Sequence, residues 1–225
     1  MRNLIFTIGI AGLIGVAAST GITRAQTSGQ DVTTQRTSQE YAVGPCRFRI
    51  ANMFGGEFRE PYPAEASPPQ GTYYLPVTGP SSFRAGGFSL FCVSAKEERI
   101  TSALNGKYVD GRWWTYGPIN GPEFVPYERQ AKAQTILLKE RNWTAIAYTE
   151  DATTGEERKR ARVFHFCLVH ELYALCGYKT VKWLSERKGR NDLDRVKAIL
   201  ETVEFVDGPE PTDVSPASAV APVNK

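Results

Sequence analysis

The sequence predicts an α+β fold: an antiparallel sheet packed against a C-terminal amphipathic helix and a shorter helix, in a single domain between disordered tails. Three observations predict it. The second half carries four consecutive apolar segments of strand length, separated by short turn-like stretches. After Asn191 and Asp192, either of which can cap a helix, Leu193, Val196, Ile199, Leu200 and Val203 fall on one helical stripe. Strands grouped together with a helix at the end form an α+β layer arrangement.

The elements follow in order. In residues 46–54, Cys46, Phe48 and Ile50 alternate with Arg47 and Arg49, which predicts a half-buried strand. Residues 55–71 contain four prolines and three glycines and predict a long loop. Residues 72–77 predict a short edge strand. Residues 87–95 are apolar on both faces, as in a central strand. Ser94 and Glu97 have capping-box spacing ahead of a helix carrying Ile100, Ala103 and Leu104, with Gly106 as its stop. Residues 107–128 are dense in aromatics, Gly and Pro and predict irregular structure around one short strand. Residues 134–140 and 143–150 predict a hairpin about Arg141 and Asn142, and residues 159–169 and 173–184 a second one about Glu171 and Leu172. In the closing helix Arg195, Lys197 and Glu201 face outward, and Phe205 and Val206 add a last short strand.

The two ends read differently. Residues 1–25 have Arg2, then an uncharged run from Leu4 to Ala18, then small residues, the order of a secretory leader cleaved after Ala25. The competing reading is a retained anchor, but the run falls short of the roughly 20 apolar residues a span needs. Residues 26–40 hold a single aliphatic side chain, Val32, and predict a disordered linker. Residues 207–225 are rich in Pro, Ala and Ser and predict a disordered tail, leaving residues 41–206 as the folding unit. A leader of this kind implies a periplasmic or secreted protein with no stable membrane insertion after cleavage. Losing Arg2 and Arg24 brings the net charge from +3 to +1. That balance gives no argument for nucleic acid or an anionic membrane as partner.

Four cysteines in an exported chain predict two disulfides. If Glu171 and Leu172 form a two-residue hairpin loop, Cys167 and Cys176 sit directly opposite each other, at the short end of disulfide reach. The remaining pair is Cys46–Cys92, and buried free thiols are the competing state. The only histidines are His165 and His170, with no CxxC or HxxxH spacing, so no metal or cofactor is predicted.

The order of elements in residues 134–206, a hairpin-rich antiparallel sheet closing with DLDRVKAILETVEFVD, resembles the end of Mog1/PsbP-like domains. The first half has no counterpart in that resemblance. It implies a protein that binds other proteins or assists assembly rather than one that catalyses.

No catalytic constellation is legible. There is no G-x-S-x-G, no phosphate-binding glycine loop, and Ala174 stands where a zinc-protease motif starting at His170-Glu171 needs its second histidine. Ser185 and Lys188 match S-x-x-K by chance, without the companion motifs. Asp110, Glu123, Glu128 and Glu150 are carboxylates that a glycosidase would need paired, and sequence does not pair them. The charge run 156–162 reads as a solvated, self-compensated turn, with a recognition patch on a hairpin tip as the competing reading.

The segment that stands out is aromatic. Tyr108, Trp113, Trp114, Tyr116 and Tyr127 are the residue types that anchor interfaces or stack on sugars, and the same types fill cores. Adjacent strand residues point to opposite faces, so Trp113 and Trp114 cannot both enter one core. The reading is an exported, non-catalytic protein-interaction domain such as an immunity or adaptor protein. Its alternatives are an enzyme acting on envelope polymers and a small glycan- or ligand-binding module.

Overall fold

The computed structural model describes residues 38–60, 69–76, 86–186 and 191–207. The predicted leader, residues 26–37 of the predicted linker, Lys188 and residues 208–225 lie outside the described residues. The described residues build three antiparallel sheets and two short α-helices. The large sheet has seven strands in the order β3 (Glu57–Arg59), β4 (Gln70–Tyr74), β5 (Gly87–Ser94), β12 (Tyr173–Trp183), β11 (Ala161–His170), β10 (Thr144–Asp151) and β9 (Gln134–Thr135). A second sheet joins β1 (Ser38–Val43), β2 (Cys46–Ala51) and β13 (Glu204–Phe205). A third joins β6 (Gly106–Val109), β7 (Arg112–Tyr116) and β8 (Phe124–Pro126). The helices are α1 (Glu97–Leu104) and α2 (Leu193–Leu200).

Period-two alternation on β11 gives the large sheet two buried faces. Phe164, Phe166 and Leu168 point into a cluster with Phe48 and Ile50 of β2 and with Val196, Ile199 and Leu200 of α2. Cys167, between them in sequence, points the other way, into a cluster with Ile100 and Leu104 of α1, Trp113 of β7 and Tyr148 of β10. Each face carries one disulfide. Cys46–Cys92 ties β2 to β5, with Cα atoms 5.7 Å apart. Cys167–Cys176 ties the directly opposed positions of β11 and β12, with Cα atoms 4.0 Å apart. The hairpin registers follow the sequence: Cys167 meets Cys176, and Tyr148 meets Thr135 as a turn centred on Arg141 and Asn142 requires. Between β9 and β10, however, regular pairing stops early, because Trp143 turns inward and donates its indole N–H to the Val203 carbonyl at 2.7 Å.

Several local expectations are corrected. Strand β1 begins at Ser38, so the last residues of the predicted linker belong to the fold, paired along β2. β4 is not an edge strand: β3, taken from the predicted loop, pairs along its outer side. Gly71 permits this, since a Cβ there would lie 2.0 Å from the Phe58 ring. No capping box forms at α1; its N-cap is Lys96, with no side-chain cap. The helix stops at Asn105 in the left-handed conformation (φ 56°), and Gly106 instead opens β6. A Cβ at Gly106 would meet the Trp114 carbonyl at 2.7 Å, which explains the glycine there. At α2 the Asn191 side chain accepts the Leu193 N–H at 3.2 Å.

The largest correction concerns residues 107–128. They form a regular three-stranded sheet, not irregular structure around one strand. Its first hairpin turns at Asp110 and Gly111, both with positive φ (50° and 81°), the geometry that Asp-Gly favours between two strands. Gly117 closes the second turn by donating to the Glu123 carbonyl at 2.9 Å.

Candidate binding surface

The small sheet β6–β7–β8 places the five sequence-predicted aromatics, and alternation divides them. Trp113 points inward and is only 4% exposed. It stacks on Tyr148 with ring centroids 4.0 Å apart and donates its indole N–H to Thr135 Oγ1 at 2.9 Å. Tyr108, paired with it across β6 and β7, contacts Trp113 at 5.4 Å yet stays 54% exposed at the margin. Tyr127 closes the inner side, its hydroxyl 3.1 Å from that of Tyr148. Tyr148 in turn donates to the Leu104 carbonyl at 2.8 Å. Burial pushes the Tyr127 phenol up to about 12, against the lowering effect of the hydrogen bond with Tyr148. Tyr148 is raised further, first by burial and then by Tyr127 and Glu150.

The outward face holds the rest. Trp114 sits between Lys107 and Pro126 in the register of the sheet, half-buried, with the Arg112 guanidinium 4.9 Å above its ring. Its indole N–H is buried and has no hydrogen-bond partner among the described residues. Tyr116 pairs with Phe124, ring centroids 4.6 Å apart, and the Lys107 ammonium lies 4.1 Å from the Phe124 ring. The face is thus aromatic with two cations laid over it. Among the predicted residues Trp113 is a core residue, whereas Trp114, Tyr108 and Tyr116 reach the surface.

Two grooves flank the short 3-10 turn Arg129–Ala131 that follows the small sheet. One, of about 420 Å³, runs past Tyr108, Trp113 and Tyr127 to Arg129, Lys132 and Thr135. The other, of about 560 Å³, runs from Lys132 past Asp151 and Arg160 to Lys182 and Ser185. Glu128 and Lys132 line both. Within the second, Asp151 is 5% exposed and receives Arg162 Nε at 2.6 Å and Nη2 at 2.9 Å, which raises the guanidinium pKa. The charge run 156–162 signalled Arg160 and Arg162, but strands distant in the chain bring Lys132 and Lys182 to them. The charge run does compensate itself in part: Glu156 pairs with both Arg158 and Lys159.

Both histidines are structurally engaged. His165 stacks on Tyr148 at 4.9 Å and its Nε2 lies 3.0 Å from Glu150 Oε1. Burial would raise the Glu150 carboxyl, but the hydrogen bond with His165, the largest of the opposing effects, helps to lower it overall. Neither groove is lined by His165 or Glu150. His170, Glu171 and Asp207 bring ligand atoms within 4.8 Å of one another, the arrangement among the described residues closest to a metal set. Both ring nitrogens of His170 are already in use, Nδ1 donating to the Asn142 carbonyl at 2.5 Å and Nε2 at 2.8 Å from Asp207 Oδ1. Of the four carboxylates singled out in the sequence, only Glu128 lines a groove.

No helix among the described residues is long and apolar enough to cross a membrane. Compared with known proteins, the chain matches no family model, no curated protein and no solved structure.

Proposed function

We propose that this chain is an exported, non-catalytic binding protein that docks an acidic partner protein on the outward face of β6–β7–β8, with Trp114 as its anchor. The observation that carries the reading is the state of Trp114: a half-buried indole on a solvent-side sheet face, with a buried N–H that nothing accepts. An unmet buried donor costs about 1–3 kcal/mol. A partner carboxylate that draws Arg112 off the ring and accepts this N–H removes that cost on binding. The face also presents Lys107 and Arg112 with no carboxylate among its strand residues, which complements an acidic surface. Its aromatics ride on paired strands, so little ordering entropy is lost on association.

Export is supported by the leader-like residues 1–25 and by two disulfides, which persist in oxidising compartments. The resemblance of residues 134–206 to Mog1/PsbP-like domains supports binding over catalysis. The test is affinity capture from the extracytoplasmic fraction with wild type, Trp114→Ala and Tyr116→Ala. The reading expects one partner, recovered with wild type and reduced at least tenfold with folded Trp114→Ala. Retention of every wild-type partner by that variant overturns it.

A further inference from the structure

We infer that the two grooves beside the Arg129–Ala131 turn form one track that binds an acidic polysaccharide, a site that shares only Arg112 with the outward face of the small sheet. The grooves share Glu128 and Lys132, so they meet across that turn. Together their walls carry six cationic side chains, namely Arg112, Arg129, Lys132, Arg160, Arg162 and Lys182, against three carboxylates. Arg162 and Asp151 neutralise each other in a bidentate pair, and Arg112 lies over Trp114. Arg129, Lys132 and Lys182 then remain without an ion-pair partner among the described residues, and Arg160 is spent only on the Gly155 carbonyl. In a chain with a net charge of +3, this is a local concentration of unpaired positive charge inside concave surface.

Lys132 is fixed in the backbone as the left-handed cap (φ 46°) that ends the Arg129–Ala131 turn, its N–H donating to the Arg129 carbonyl at 3.2 Å. It stands where the grooves join, so one ligand spanning both must pass it.

The lining selects the ligand's chemistry. The second groove offers a small apolar ligand little wall beyond Ala152 and Leu184, while the first adds Tyr108, Trp113 and Tyr127. An open, polar, cationic path suits an extended hydrophilic anion. At the far end Tyr108 exposes its ring while Trp113 braces it from behind. A braced tyrosine beside guanidinium and ammonium groups suits a sugar ring carrying a carboxylate: the C–H face packs on the phenol and the carboxylate meets Arg129. An acidic peptide offers the charges without the flat C–H face. Single-stranded nucleic acid needs a succession of stacking platforms, and the track has one exposed aromatic.

The test is calorimetric titration of the intact protein with polygalacturonate, poly-glutamate, single-stranded DNA and neutral dextran, at low and moderate salt. The expected result is polygalacturonate binding that weakens with salt and no binding of dextran. Lys132→Ala combined with Lys182→Ala lowers the affinity at least tenfold, Tyr108→Ala at least threefold, and Glu128→Gln raises it. Tyr116→Ala, on the docking face but lining neither groove, leaves polygalacturonate affinity unchanged, which separates this track from the protein-docking face. The inference is overturned by any one of three results: no polygalacturonate binding, undiminished binding by the Lys132/Lys182 variant, or poly-glutamate or DNA binding as tightly with Tyr108→Ala without effect.

Discussion

Trp113 stacks on Tyr148 at 4.0 Å, and this contact fastens the small sheet to the large one. It also fixes which of two adjacent tryptophans is structural. Trp113→Ala removes a buried ring from the cluster that holds α1 and the small sheet, so it should destabilise the fold by about 3–5 kcal/mol. Chemical denaturation followed by far-UV circular dichroism measures this; a loss below about 1 kcal/mol would mean that the ring is not part of the core.

Trp114 predicts the opposite behaviour. Trp114→Phe keeps most of the ring and deletes the orphaned N–H, so stability should hold or rise by up to about 1 kcal/mol. Partner affinity should fall in the same variant. A clear loss of stability would show that the indole N–H is satisfied in solution.

The disulfides should differ in weight. Cys46–Cys92 spans 46 residues and Cys167–Cys176 spans 9. Chain-entropy arguments give about 4 kcal/mol for the longer loop and about 2.5 kcal/mol for the shorter. Paired Cys→Ser or Cys→Ala variants, compared by denaturant midpoint, should therefore rank the Cys46–Cys92 deletion as the more damaging. The reverse order would place the main constraint at the β11–β12 hairpin.

The end of the described chain is clamped by residues before β10. Asn142 donates from Nδ2 to the Phe205 carbonyl at 2.8 Å and accepts the Phe205 N–H at 3.1 Å. Asn142→Ala strands both backbone groups and should cost about 2–3 kcal/mol. Faster hydrogen exchange at Phe205 in the variant is the local readout, and unchanged exchange there would refute the clamp.

His170 adds a pH-dependent strap to the same region. Burial alone would lower its pKa, but the hydrogen bonds with Asp207 and the Asn142 carbonyl, with the charges of Asp207 and Glu171, raise it. A raised folded pKa means the stabilisation is complete below the ordinary value of about 6.5 and fades as pH rises through the folded value. Asp207 is largely exposed, so the effect should stay below about 1 kcal/mol. The stability gap between wild type and His170→Gln should shrink from pH 6 to pH 8.5; a gap that grows would reverse the assignment.

Much of this architecture was legible because it is local. The second half obeys period-two and helical patterns, and the Glu171-Leu172 turn sets the register that opposes Cys167 to Cys176. The small sheet was missed because glycine, proline and aromatic density masked a hairpin signal, Asp110-Gly111 between Val109 and Arg112. β3 was missed because three residues carry too little pattern; Phe58 over Gly71 is a tertiary match. The division of Trp113 from Trp114 followed from strand alternation, but which one faces inward depends on Tyr148, from a strand distant in sequence. The cationic track was illegible for the same reason: Arg129, Lys132, Arg160 and Lys182 meet only in the folded chain.

The most direct measurement of the central claim is site-specific photocross-linking. A photoreactive residue is placed at position 116, beside Trp114 on the outward face, and at position 137 as a control, where Leu137 is 82% exposed in the segment that joins β9 to β10. The account predicts a covalent adduct with one protein partner from position 116, none from position 137, and loss of the adduct when Trp114→Ala is added. No adduct at position 116, or an adduct that survives Trp114→Ala unchanged, would contradict it.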